Sequence, residues 1–154
     1  MKKCNKIIFV CDSGTARAPM AEAILKEYTL PYPIEVESRG LVVLFSEPLN
    51  QKAEAVLISN GINMEQHMSR QLMPEDLAEG NLIITMGALQ RQKILETYEE
   101  AAGAEIYVLT ELVGDELEII DPYGGSLQLY GLCYETLNKS IQKLVRLLEE
   151  GLPG

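Results

Sequence analysis

Histidine occurs once in this sequence, as His67, and cysteine three times, as Cys4, Cys11 and Cys133, with no C-x-x-C pair. That scarcity excludes a zinc centre, which takes about four clustered nitrogen or sulfur ligands. Positive charge is also in short supply: 13 Lys plus Arg stand against 23 Asp plus Glu, a net −10. A nucleic-acid or anionic-membrane partner is therefore not expected, because both are polyanions. Any anion must be held by a local site working against the overall field. Long apolar runs are missing too. Stretches such as Lys6 to Cys11 and Asn81 to Met86 hold a handful of residues, where a bilayer span takes about 20. With no secretory leader pattern and an odd cysteine count, a reducing cytoplasm is the expected compartment. What remains is an ordinary globular mixture, 47% hydrophobic and 23% charged over 154 residues. A chain of that size predicts one domain, residues 1–154, able to bury about 70% of its unfolded surface without staples.

Lys6-Ile7-Ile8-Phe9-Val10-Cys11 is a short β-branched run that reads as a strand buried on both faces. Asp12 to Thr15 breaks it with turn formers, and a helix follows from about Ala18 to Tyr28, with Pro19 tolerated in its first turn. Ile34 to Ser38 predicts a second strand, ended by Arg39-Gly40. Asn50 to Asn60 predicts a helix closed by Asn60-Gly61, and Pro74 to Ala78 a short helical turn. Asn81 to Met86 is the third strand, Leu89 to Tyr98 a helix, and Glu105 to Leu109 the fourth strand. Val113 to Ser126 reads as a long loop. Leu129, Leu132, Leu137, Ile141, Leu144, Val145 and Leu148 then mark one amphipathic helix from Leu127 to Glu149, and Gly151 to Gly154 a frayed tail. Strands alternating with helices imply an α/β domain, a parallel sheet with helices on both faces.

Cys11 and Arg17 stand six positions apart around a loop of small residues, between a strand end and a helix start. Consecutive N–H groups in such a loop form an anion nest, and the helix N-terminus adds partial positive charge at the same point. Arg17 adds a planar fork that matches two phosphate oxygens. All three favour a thiolate, so Cys11 is expected to titrate below the roughly 8.5 of a free thiol, poised to attack phosphorus. Asp121, in a loop after the fourth strand, would lie on the same carboxyl edge of the sheet and could protonate a leaving group. Taken separately, each feature also reads blandly: a buried strand-end cysteine, a surface arginine, an Asp-Pro turn. Their combination carries the argument.

Ile7 to Arg17 together with Asp121-Pro122-Tyr123-Gly124 strongly resembles the low-molecular-weight protein tyrosine phosphatases, which carry a C-x5-R loop after the first strand and a distant D-P loop near the last helix. Pro19 to Glu22, Ser38, Gly40 and Ser69-Arg70-Gln71-Leu72 extend the resemblance along the chain. It implies a four-stranded parallel sheet, a cysteinyl-phosphate intermediate and no metal or organic cofactor. It further implies Cys11 as nucleophile, Arg17 as clamp and Asp121 as acid and then base. Asp12, Ser13, Gly14, Thr15, Ala16 and Arg17 would form the phosphate-binding loop, and phosphorylated proteins or peptides, or a free oxyanion, its ligands. The family loop commonly reads C-x-G-N-x-C-R-S. Here Ser13 and Gly14 replace the Gly and Asn, and Ala16 and Ala18 the second Cys and the Ser. Gly14 can hold a left-handed conformation without the Asn and Ser brace.

Thr15 bears on substrate. Phosphotyrosine-directed members usually place an aliphatic side chain there, whereas the protein-arginine phosphatases of the family place Thr, with an acid loop much like Asp121 to Ser126. A hydroxyl suits a guanidino group better than a phenyl face, and Tyr123 offers an aromatic wall to either. The resemblance thus leans toward phosphoarginine, with phosphotyrosine as the alternative and a weak or inactive phosphate-binding module as a further one. An arsenate reductase is excluded, since no cysteine lies between Cys11 and Cys133. A sugar-transport phosphocarrier domain is not expected to carry Arg17 and the Asp-Pro loop. Cys4 and Cys133 are expected to be passive thiols and His67 a solvated side chain. Met64, Met68 and Met73 are expected to pack against the sheet, with lining of a pocket wall as the alternative, and Glu99-Glu100 and Glu149-Glu150 to be solvated helix ends.

Overall fold

The computed structural model describes residues 3–64 and 66–152. Four parallel strands, β1 (Lys6–Cys11), β2 (Glu35–Gly40), β3 (Asn81–Thr85) and β4 (Glu105–Val108), form one sheet in the order β2-β1-β3-β4. Five helices connect and cover them: α1 (Arg17–Lys26), α2 (Gln51–Ser59), α3 (Ala88–Thr97), α4 (Leu109–Val113) and α5 (Leu127–Glu150), with short 3-10 turns at Pro74–Leu77 and Glu99–Gly103. The single-domain α/β fold read from the sequence is the fold observed.

Alternation along β1 explains the layers. Ile7, Phe9 and Cys11 face a large core built with α1, α2 and α5, while Ile8 and Val10 face a smaller one with Leu72, Leu77, Ile94 and Ala101. Phe9, Ile7 and Ile8 are fully buried, each contributing about 1.5–3 kcal/mol of hydrophobic stabilisation. Because β1 is central, with β2 on one side and β3 on the other, the chain leaves it in opposite directions, and a crevice opens at its carboxyl end. Cys11, the last residue of β1, pairs with Gly40, the last of β2, at that edge.

Several boundaries differ from the sequence reading. Strand β2 continues through Arg39 and Gly40, which were expected to end it. Arg39 can be buried there because Asp76 (Nε to Oδ2, 3.2 Å), Glu37 (2.6 Å) and the Ser38 carbonyl (2.8 Å) satisfy its guanidinium. The expected fourth strand stops one residue early, since Leu109 opens α4, a helix hidden in what read as strand and loop and closed by Gly114 at φ 82°. Helix α1 starts at Arg17 and ends at Lys26, two residues short of Tyr28, whose hydroxyl instead reaches Asn138 on α5. On α5 the buried stripe runs through Tyr130, Cys133, Tyr134, Leu137, Ile141, Leu144, Val145 and Leu148, and Leu132 is exposed. Stepping back by 3.6 residues from Leu137 reaches Cys133 and Tyr130 rather than Leu132. Met64 packs partly against the core, whereas Met68 and Met73 are exposed rather than packed on the sheet, and Met64 and Met68 line the wall of a surface pocket. Leu152, read as part of a frayed tail, is buried in the core; Pro153 and Gly154 lie outside the described residues. Among the described residues no helix is long and apolar enough to cross a membrane.

Candidate active site

Residues 12–16 leave β1 and turn back into α1, so that backbone N–H groups converge on the sulfur at the strand end. The Gly14 N–H donates to Cys11 Sγ at 3.2 Å, and the Ala18 N–H also points at the sulfur. Gly14 has φ 75°, and a Cβ there would lie 3.0 Å from the Gly40 backbone nitrogen. Glycine is therefore required twice, for the left-handed turn and for the close approach of β2. Neighbouring segments fix the outer side of the loop. Leu41 N–H donates to Cys11 O (3.0 Å), Val42 N–H to Asp12 O (3.1 Å), and Asn50 N–H to Thr15 O (2.9 Å).

Arg17 is 7% exposed and joins this loop to the Asp121 loop. One terminal nitrogen lies 3.2 Å from Asp12 Oδ2 and 3.7 Å from Asp121 Oδ2, and the other donates to Ile119 O at 3.4 Å. Asp121 is half exposed, and its Oδ1 accepts the Tyr123 N–H at 3.1 Å, an Asx turn that orients the carboxylate. Cys133, on α5, reaches the Ile120 carbonyl at 3.6 Å. Cys11, Arg17 and Asp121 thus meet in one cavity of about 300 Å³, whose lining also includes Asp12, Ser13, Ala16, Asn50, Tyr123 and Tyr130. Gly14 and Thr15 complete the loop without lining that cavity. The Thr15 hydroxyl is turned to Ser13 Oγ, 2.7 Å away. Tyr123 stands at the mouth, 86% exposed.

Burial is the largest influence on the Cys11 thiol and pushes its pKa up, against the lowering expected from the sequence. The Ala18 N–H, the Arg17 charge and the Gly14 N–H pull it down, and the Asp12 carboxylate adds a smaller push upward. The sequence counted the donors but not the desolvation. Burial also raises Cys4, and pushes Cys133 up to about 12, as suits passive thiols. No cluster of potential metal ligands occurs among the described residues.

Three contributors were missed or misread. His67, expected to be solvated, donates from Nε2 to the Gly14 carbonyl at 2.9 Å, since a carbonyl can only accept. Asn50 caps α2 by accepting the Lys52 and Ala53 N–H groups, and the same residue lines the cavity beside Tyr130. An Asn before a helical run is a capping signal, although the sequence reading placed Asn50 inside the helix; its place at the site depends on which way α2 points. Gln71, within the Ser69 to Leu72 run, braces the segment that follows β2, accepting the Val43 N–H (2.8 Å) and donating to Leu41 O (2.5 Å).

The sequence profile of the low molecular weight phosphotyrosine protein phosphatases matches residues 6–152. Among individual proteins, the chain is 32% identical over 139 residues to the low molecular weight protein-tyrosine-phosphatase PtpB of Staphylococcus haemolyticus, covering 90% of this chain and 96% of that one. It is 30% identical over 144 residues to a protein-arginine-phosphatase of Geobacillus stearothermophilus, covering 94% and 96%. The solved YwlE arginine phosphatase from Geobacillus stearothermophilus superposes with a TM-score of 0.86 at 31% identity, over 95% of this chain and 94% of that one. This chain belongs to the low molecular weight phosphotyrosine protein phosphatase family and is a protein phosphatase.

Proposed function

We propose that the protein hydrolyses phosphoarginine in proteins through a cysteinyl-phosphate intermediate, with phosphotyrosine as the alternative substrate. The transferred phosphoryl group sits in the 12–17 loop, where the N–H groups and Arg17 neutralise its oxygens. The Cys11 thiol gives up its proton to solvent as the anionic group settles in the loop. The Sγ thiolate attacks phosphorus as the P–N bond to the guanidino group breaks, and the Asp121 carboxylic acid supplies the proton to the departing nitrogen. Asp121, now a carboxylate, takes a proton from a water that attacks the phosphocysteine. The S–P bond breaks, inorganic phosphate leaves and Cys11 is restored. Because burial raises the Cys11 pKa, the converging N–H donors and Arg17 carry the stabilisation of the attacking sulfur.

The observation that carries the arginine reading is the polar Ser13 in the cavity wall, where an apolar side chain would suit a phenyl ring, its Oγ 2.7 Å from the Thr15 hydroxyl just behind the lining. The arginine-phosphatase relatives support it. The exposed ring of Tyr123 at the mouth suits either substrate, and the tyrosine-phosphatase relative supports the tyrosine reading. The test is kcat/KM on matched phosphoarginine and phosphotyrosine peptides for wild type, Thr15→Ile and Cys11→Ser. Cys11→Ser is expected to abolish turnover of both. Thr15→Ile is expected to shift preference toward phosphotyrosine by roughly 100-fold, as when a site built for a polar contact loses it. A wild type active only on phosphotyrosine ends the arginine reading.

A further inference from the structure

The loop bearing Asp121 is tied down on both sides of that residue, and the downstream tie is made from α2. Upstream, Arg17 holds the Ile119 carbonyl and Cys133 the Ile120 carbonyl. Downstream, Lys52 Nζ donates to the Gly125 carbonyl at 2.5 Å, bridging 73 positions of sequence. The turn it grips is closed on itself. Gly125 N–H donates to the Pro122 carbonyl at 2.8 Å, and the Tyr123 N–H donates to Asp121 Oδ1 at 3.1 Å. A side chain at position 125 would be crowded, for a Cβ there would lie 2.9 Å from Pro122 O and 2.5 Å from Leu129 Cδ2. A pull on the Gly125 carbonyl is therefore transmitted to the residues that set the Asp121 carboxylate. The same ammonium lies 5.9 Å from the centre of the Tyr130 ring, a buried residue of the cavity wall, which fixes the lysine's direction. Two positions earlier, Asn50 N–H holds the Thr15 carbonyl, so the start of α2 touches both loops of the site.

We propose that Lys52 is a positioning residue that straps the Asp121 loop to α2 and keeps the Asp121 carboxyl where it can protonate the leaving group. This inference rests on the reading of Asp121 as the proton donor. It touches neither phosphorus nor the loop around Cys11, so its loss should be felt only where the proton is needed.

The test compares wild type, Lys52→Met, Lys52→Arg and Asp121→Asn on a series of aryl phosphates of rising leaving-group pKa. Vanadate inhibition is measured on the same proteins. Lys52→Met keeps most of the stem and removes the donor. It is expected to lower kcat/KM on the order of tenfold at the poor-leaving-group end, a fraction of the ~100-fold or more that a placed acid supplies. On 4-nitrophenyl phosphate it should stay within about twofold of wild type, because that step needs little proton transfer. Vanadate affinity is expected to be unchanged, and Lys52→Arg, which keeps charge and donors, to restore the wild-type slope. A Lys52→Met slope equal to that of wild type, whether rates are unchanged or uniformly reduced, overturns the proposal. If Asp121→Asn steepens the series and Lys52→Met does not, the strap alone falls. If Asp121→Asn leaves the slope unchanged, the acid assignment falls and takes the strap with it.

Discussion

Gly14 shows how much of the site depends on one missing side chain. Its φ of 75° lies in the region where an L-residue costs about 1–2 kcal/mol. Its Cβ would also press on the Gly40 backbone, which is held by the Arg70 carbonyl and cannot give way as a flexible side chain would. Gly14→Ala should therefore displace the N–H that points at Cys11. The expected result is a fall in kcat/KM on the order of 100-fold, the scale of an ångström-sized misplacement, with a loss of stability too small to unfold the chain. Steady-state kinetics on an aryl phosphate beside a thermal melt checks it, and a fully active variant would show that the loop does not need this conformation. His67 acts on the same residue from outside, through the Gly14 carbonyl. A histidine in a polar connector gives no hint of that contact, because the partner is a backbone atom 53 positions away.

Strand β2 carries a buried arginine that pairs with a buried aspartate. Arg39 is 4% exposed and Asp76 8%, and Asp76 also accepts the Met73 N–H at 2.9 Å, capping the Pro74–Leu77 turn. Removing Asp76 leaves the buried guanidinium with only Glu37 and the Ser38 carbonyl and frees the Met73 N–H, so Asp76→Ala is expected to cost about 1.5–3 kcal/mol in urea or guanidinium titrations. The double replacement Arg39→Met with Asp76→Leu, which removes both charges, should cost less than Asp76→Ala alone. A larger loss in the double variant would mean that the pair is a net source of stability. Nothing in the run Glu35 to Gly40 announces a buried arginine, since the strand signal ends at Ser38 and Arg-Gly ordinarily reads as an exit. The pairing partner lies 37 positions on, in a turn packed against the sheet.

Over the whole molecule, the −10 net charge makes acid stability a sensitive readout of where carboxylates are engaged. Burial alone would raise Glu37, but hydrogen bonds from Lys6 and Arg39 and their charges outweigh it and lower its pKa to about 2 from 4.5. Asp115 is lowered in the same way by Lys143 and Ser140, again against a burial that would raise it. A carboxylate with a lowered folded pKa stabilises the protein above its unfolded pKa, and that stabilisation disappears as pH falls through the folded value. Stability should thus decline from pH about 4.5 toward about 2, and Glu37→Gln should flatten that decline while lowering stability at neutral pH. Urea midpoints across this range measure it, and an unaltered acid limb in Glu37→Gln would show that Glu37 is not a contributor.

The sequence by itself determined the order of the elements, because β-branched runs at Lys6 to Cys11 and Asn81 to Met86 and the helical periodicity of α5 are local signals that the core then satisfies. It also placed the groups that the proposed chemistry uses, a thiol and a guanidinium around a small-residue loop and a carboxyl in an Asp-Pro turn, since residue type and short spacing are local. Helix α4, the burial of Arg39, the roles of Asn50, Lys52 and His67, and the upward push on Cys11 were decided by tertiary structure. Each depends on a contact between segments far apart in the chain, or on desolvation, and neither quantity exists until the sheet brings those segments to one edge.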